Sequence, residues 1–193
     1  MSVKRLPTRL LWMDLEMTGL DPETDRILEV GAIVTDFDLK ELATYEALIK
    51  QPQAFLRKMK KAPWYDWSSG KRKVASTVYK MHNRNGLLDK SQESGKSQKL
   101  VEEELLELVD KHFDTAVYLA GSSIHQDRRF IRRWWPKLES KLHYRMVDVS
   151  AFKVYMQGKY QIDYHQPDEH RALEGIRGSI VELNYYAKMI KPS

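Results

Sequence analysis

Leu10-Leu11-Trp12-Met13-Asp14-Leu15-Glu16 carries an apolar run straight into two carboxylates separated by one residue. Such a run reads as a buried strand. Residues i and i+2 of a strand share a face, so Asp14 and Glu16 point the same way. Like charges that close repel unless a cation joins them, and a hard, oxygen-seeking ion such as Mg²⁺ or Mn²⁺ suits such a pair. Taken alone, the pair also fits a solvated strand end bearing two unrelated acids.

Outward from this strand, Gly19-Leu20-Asp21-Pro22 signals a turn, and a second apolar run over 27–35 is rich in β-branched residues. A third run over 42–50 completes an expected antiparallel meander. Residues 53–61 read as a helix that Pro63-Trp64-Tyr65-Asp66-Trp67-Ser68-Ser69-Gly70 breaks, and the stretch to Gly95 reads as loop with a short helix ending near His82. Leu100, Leu105, Leu108 and Val109 recur at helical spacing within 97–113. A strand at 116–120, a helix at 126–138, a strand at 146–149 and a long helix at 169–189 follow. Three strands and then αβαβα predict an α/β fold, a mixed five-stranded sheet flanked by helices. With no repeat and no linker, residues 1–193 are expected to form a single domain.

The chain of 193 residues is long enough to bury a core without covalent staples. It contains no cysteine, which excludes disulfides, thiolate nucleophiles and zinc–thiolate sites, so a metal must sit on oxygen or imidazole. No apolar run approaches the roughly 20 residues that cross a bilayer, and no signal-peptide core follows the start, so no membrane partner and a cytoplasmic location are expected. The formal charge of +5 suits an anionic partner. Basic residues gather in Lys58-Met59-Lys60-Lys61, in Lys71-Arg72-Lys73, and in Arg128-Arg129 with Arg132-Arg133. The first two also fit solvated helix faces.

Further polar positions join the opening pair. Gly121-Ser122-Ser123-Ile124-His125-Gln126-Asp127 puts a carboxylate in the first turn of a helix just after a strand, where it could equally serve the helix N-terminus. His170-Arg171-Ala172-Leu173-Glu174 opens the last helix with an imidazole and an acid. Acid-x-acid on a strand, an acid at a helix start and a histidine on a late helix form an ordered set.

This set resembles the DEDD superfamily of 3′→5′ exonucleases in its histidine-bearing branch, and most closely the oligoribonuclease family. The matching segments are Trp12-Met13-Asp14-Leu15-Glu16-Met17-Thr18-Gly19-Leu20-Asp21-Pro22, Ser123-Ile124-His125-Gln126-Asp127-Arg128-Arg129-Phe130, His143-Tyr144-Arg145 with Asp148-Val149-Ser150, and His170-Arg171-Ala172-Leu173. The resemblance implies a ribonuclease H-like fold and two-metal hydrolysis of short single-stranded RNA of about 2–5 nucleotides, with two Mg²⁺ or Mn²⁺ ions. It makes Asp14, Glu16 and Asp127 metal ligands and His170 the general base, whose unperturbed pKa of about 6.5 lies near working pH. It further implies that Leu20 wedges between bases and His82 contacts substrate. Ser123, Arg145 and Ser150 would cap the 5′ phosphate, and Tyr144 would reach across a homodimer to stack on a base.

The chain departs from the family pattern where a final aspartate should follow the histidine by five residues: that position is Gly175, and the nearest acid, Glu174, lies about 100° away on a helix. Glu174 is a possible replacement ligand. The resemblance therefore carries two readings, a working exoribonuclease and a weak or inactive member that binds short RNA or linear dinucleotides without turnover. A broader exonuclease acting on longer strands is a third. Lesser departures are Thr77 in place of a base-contacting tryptophan, which Trp64 or Trp67 would then replace, Ala151 in place of a second hydroxyl, His125 in place of a small residue, and a basic insert over 60–80.

Overall fold

The computed structural model describes residues 6–61, 64–66, 71–73, 77–165 and 171–189. Strand β1 (Arg9–Met17) pairs antiparallel with β2 (Ile27–Asp36), which pairs antiparallel with β3 (Glu41–Leu48). Helix α1 (Gln53–Lys61) follows, then a small antiparallel hairpin of β4 (Trp64–Asp66) and β5 (Lys71–Lys73). Helices α2 (Thr77–Arg84), α3 (Leu87–Ser94) and α4 (Gln98–His112) lead to β6 (Val117–Gly121). The chain continues through α5 (Ile124–Trp134), α6 (Pro136–Lys141), β7 (Leu142–Asp148), α7 (Val149–Tyr160) and α8 (Ala172–Met189).

The main sheet has the order β3-β2-β1-β6-β7, with β6 parallel to both β1 and β7, so the expected mixed five-stranded sheet is present. Strand β2 is buried from Ile27 to Thr35, as a near-continuous apolar run requires when both faces of a strand are covered. The alternation of β1 then sorts its side chains. Leu11, Met13 and Leu15 pack with Val101, Leu105, Phe130, Ile131 and Leu138 of α4, α5 and α6. Leu10 and Trp12 face the other way, onto Val149, Met156, Ile176 and Ile180 of α7 and α8. Trp12 is fully buried and its indole N–H donates to Thr35 Oγ1 at 2.9 Å, so no polar atom is stranded there. Asp14 and Glu16 continue the α8-facing register.

The local reading needs four changes. Before Gly95, α2 is the expected short helix near His82, whereas α3 and the β4–β5 pair were not anticipated. The helix expected over 126–138 is two helices, broken at Trp135-Pro136 with Pro136 opening α6, where its missing N–H costs nothing. Strand β7 begins at Leu142 rather than 146, and α7 was not anticipated. No helix among the described residues is long and apolar enough to cross a membrane.

Candidate active site

Asp14 and Glu16 lie where α8 crosses the sheet. Their antiparallel partners are Gly31 and Glu29, on the same face. Gly31 leaves room for the start of α8, since a Cβ there would sit 2.9 Å from Ala172 C and 3.0 Å from Leu173 N. Glu29 is completely buried and receives a forked guanidinium from Arg171, with Nε at 2.9 and 3.1 Å and Nη2 at 2.6 Å. Arg171 also reaches Glu46 of β3 at 3.1 Å. A buried carboxylate needs such pairing. The fork therefore ties the residue just before α8 to β2.

Asp127 reaches the same region from the first turn of α5, where its Oδ1 accepts the Leu15 N–H at 3.0 Å. Asp14, Glu16 and Asp127 thus lie near enough to feel one another's charge, with Arg171 acting on Glu16. Burial, and then Glu29, pushes Asp14 up to about 6. Burial, then Asp14 and Glu29, pushes Glu16 up to about 8, against the pull of Arg171. Asp127 is raised by burial and then by Asp14. The donors are oxygens only, the chemistry a hard divalent cation prefers. Among the described residues, no three His, Asp or Glu side chains converge closely enough to hold an ion without rearrangement.

The position expected to supply a further acid is directly over Asp14: a Cβ on Gly175 would lie 2.8 Å from Asp14 Oδ2. The neighbouring Glu174 is exposed, and the groups that feel its charge are Arg171 and Glu46. His170 lies outside the described residues, as do the side chains of Trp64, Trp67 and Thr77 and of the two lysine-rich clusters.

The remaining candidates form two lips. On one, the turn over 18–25 presents Leu20 at 67% exposure and is braced internally, with Asp25 accepting from Thr18 Oγ1 and from the Asp21 N–H. His82 lies beneath this turn, fully buried, its Nε2 2.9 Å from Met17 O and 3.8 Å from Glu16 Oε2. A carbonyl can only accept, so that nitrogen carries the proton. On the other lip, Ser123 and Ser150 bring their hydroxyls to 3.0 Å, and Ser122 Oγ is also 3.0 Å from Ser150 Oγ. Asp148 organises this cluster by accepting the N–H groups of Ser123 and Ser150 on one oxygen, while His125 Nδ1 lies 3.4 Å from the other. Tyr144 is 70% exposed, with the Arg145 guanidinium 5.2 Å from its ring centre.

The arginines of α5 are occupied within the fold. Arg128 and Arg132 meet Glu139, Arg133 meets Glu23, and Arg129 bonds Gln126 and the Leu20 carbonyl. Sequence reasoning did not single out Glu29, Arg171 or Ser122. Glu29 was detectable as one acid inside the apolar run Ile27-Leu28-Glu29-Val30, whereas Ser122 carried no signal beyond its neighbour.

Residues 11–61 match the RNase_T family model, described as Exonuclease. The chain resembles exonuclease I from Methylocaldum szegediense (TM-score 0.62, 15% identity, 97% of this chain and 42% of that one). It also resembles E. coli exonuclease I in complex with a 5cy-dT13 oligonucleotide (TM-score 0.67, 12% identity, 97% and 42%). It spans 42% of the length of each of those proteins, and the likeness to them is one of fold. Fold and family model together define an exonuclease of the ribonuclease H-like α/β class. Over 182 residues the chain is 40% identical to the oligoribonuclease of Chromobacterium violaceum, covering 92% of each. To that of Thiobacillus denitrificans it is 38% identical over 186 residues, covering 93% of each. The chain belongs to the oligoribonuclease family.

Proposed function

We propose that the protein is a single-domain, cytoplasmic 3′→5′ exoribonuclease that takes RNA of a few nucleotides down to mononucleotides, with turnover restrained by Gly175. The observation that carries this reading is that the first turn of α5 serves two places at once. Asp127 reaches the buried carboxylates while Ser123, four residues earlier, joins the hydroxyl cluster with Ser150. A site for a scissile phosphodiester therefore lies a fixed short distance from a site for a terminal phosphate. Asp14, Glu16 and Asp127 would hold divalent cations, two Mg²⁺ or Mn²⁺ ions. Bound there, these supply Lewis acidity and offset the charge that builds on the phosphate oxygens. His170 takes the proton of the attacking water. Leu20 enters between the bases, with His82 holding Met17 beneath it. Ser123, Ser150 and Arg145 hold the 5′ phosphate, for which a planar guanidinium fork is well shaped. Tyr144 reaches the site of a second copy, so the working species is a homodimer, expected by light scattering at twice the 22.7 kDa chain mass.

A second reading, a binder of short RNA without turnover, is favoured by one geometric fact. The ligand position over Asp14 is a glycine, and the neighbouring Glu174 is exposed. Single-turnover cleavage of a 5′-labelled RNA dinucleotide, in Mg²⁺ and then Mn²⁺, separates the two when compared with Gly175→Asp and accompanied by binding measurements. Cleavage within roughly tenfold of the aspartate variant, about 1.4 kcal/mol, supports the working enzyme. Tight binding with cleavage only in Gly175→Asp supports the binder. Failure to bind a dinucleotide at all would sink both.

A further inference from the structure

We propose that Arg128 is a positioning residue that fixes the substrate-contacting segment His143-Tyr144-Arg145 relative to the carboxylates, an inference that rests on the substrate reading above. Strand β7 is the edge of the sheet, with β6 as its one neighbour in the sheet. Its ladder is regular at Leu119↔Met146, Ala120↔Val147 and Gly121↔Asp148, but the preceding pair is Val117↔Leu142. Two residues of β6 therefore span the same step as four of β7. His143-Tyr144-Arg145 bulges from the ladder, a device that re-aims side chains at sheet edges and beside active sites. A bulge leaves backbone groups without ladder partners, and these must be satisfied elsewhere.

Arg128 satisfies two of them, the carbonyls of His143 and Tyr144. It follows Asp127 on α5, and the ~100° rotation between consecutive helical residues turns it away from β1 toward β7 and α6. Its side chain is 9% exposed. Nη1 donates to His143 O at 2.8 Å and to Tyr144 O at 3.3 Å. Nε lies 3.3 Å from both oxygens of Glu139, and Nη2 lies 3.2 Å from Oε1. A guanidinium has the fixed fork that spans a carboxylate and two carbonyls together, which a lysine ammonium lacks. Above this anchor the side chains build outward. The His143 ring stacks on Tyr118 and meets Tyr144, with both ring centres 4.4 Å away, and its Nδ1 accepts the Arg145 N–H at 3.1 Å. One helical dipeptide, Asp127-Arg128, thus joins the carboxylate site to the segment presenting Tyr144 and Arg145.

The test is equilibrium binding of 5′-phosphorylated and 5′-hydroxyl RNA dinucleotides to the full chain, which requires no turnover. Its readout is the ratio of the two affinities, a quantity that the folded fraction does not alter. Arg128→Lys should lower the preference for the 5′ phosphate roughly tenfold, since a displaced fork forfeits its paired contacts. Arg132→Ala, which also removes a contact to Glu139 but touches neither carbonyl, should leave the preference within about twofold, a shift that the usual spread of surface substitutions allows. Should Arg128→Lys fail to fold, Glu139→Gln loosens the same fork from its far side and should lower the preference in the same direction. A preference that persists unchanged in the fork variants overturns the inference alone. A wild-type chain with no preference overturns the substrate reading and the inference with it.

Discussion

Asp127 shows how one side chain can serve the fold and burden it together. Its Oδ1 accepts the Leu15 N–H, which fixes α5 against the end of β1, yet its charge is buried beside Asp14 and Glu16. Asparagine keeps the accepting oxygen and removes the charge. Asp127→Asn should therefore raise the stability of the metal-free protein at pH 8 by about 1 kcal/mol, as relief of a raised carboxylate allows, while weakening Mn²⁺ binding. Thermal melts in chelator and Mn²⁺ titration of the same variant check both halves, and a lower melting temperature in chelator would show that the charge is compensated. Gly175 presents the opposite case. An aspartate there would add one more like charge to the same place, so glycine at 175 relieves the fold.

At the scale of elements, the site depends on how closely α8 approaches the sheet, and that approach rests on Gly31. The contacts a Cβ would make there are with backbone atoms of Ala172 and Leu173, which cannot rotate aside. Gly31→Ala should lift the start of α8, at a cost of about 1–3 kcal/mol for an overpacked position, and should tighten cation binding, because withdrawing the Arg171 guanidinium from Glu29 leaves the acids less compensated. Urea unfolding of the variant, paired with Mn²⁺ titration, measures this; an unchanged midpoint would mean that α8 has slack. Such close approach is invisible in sequence, because a glycine within a strand marks several kinds of irregularity alike. The strands β1 and β2 were legible because burial on both faces demands a continuous apolar run. Helix α7 was not, because Val154, Tyr155 and Tyr160 are exposed and blur the helical period. Strand β7 began earlier than its apolar residues suggested, since the residues that bulge from it, His143, Tyr144 and Arg145, are polar or exposed. That Asp14 and Glu16 share a face was readable from strand alternation, whereas Asp127 was drawn to them only through the family resemblance. The pairing of Arg171 with Glu29 was not readable, because 142 residues of chain separate them.

Across the whole molecule, a net charge of +5 coexists with a buried acidic centre, and the two respond to pH differently. The folded-state pKa values of Asp14, about 6, and Glu16, about 8, stand above their ordinary values of 3.8 and 4.5. Between pH 4 and pH 8, roughly, the unfolded chain has already released protons that the folded chain retains. The folded state then binds more protons, so stability falls as pH rises through this window and levels above it. His112, held below its ordinary range chiefly by burial, works the other way, but a single imidazole opposes two carboxylates. Metal-free protein should therefore melt at a lower temperature at pH 8.5 than at pH 5.5, and saturating Mn²⁺ should remove most of that difference by supplying the missing positive charge. Melting temperatures that rise with pH in chelator would mean that the carboxylates are ionised and already compensated, with Arg171 spreading its charge over Glu16 as well as Glu29. A fall with pH that Mn²⁺ leaves untouched would mean instead that the acids are strained against one another yet open no place for an ion. In that case Gly175, and not the lack of metal, would set the state of the site.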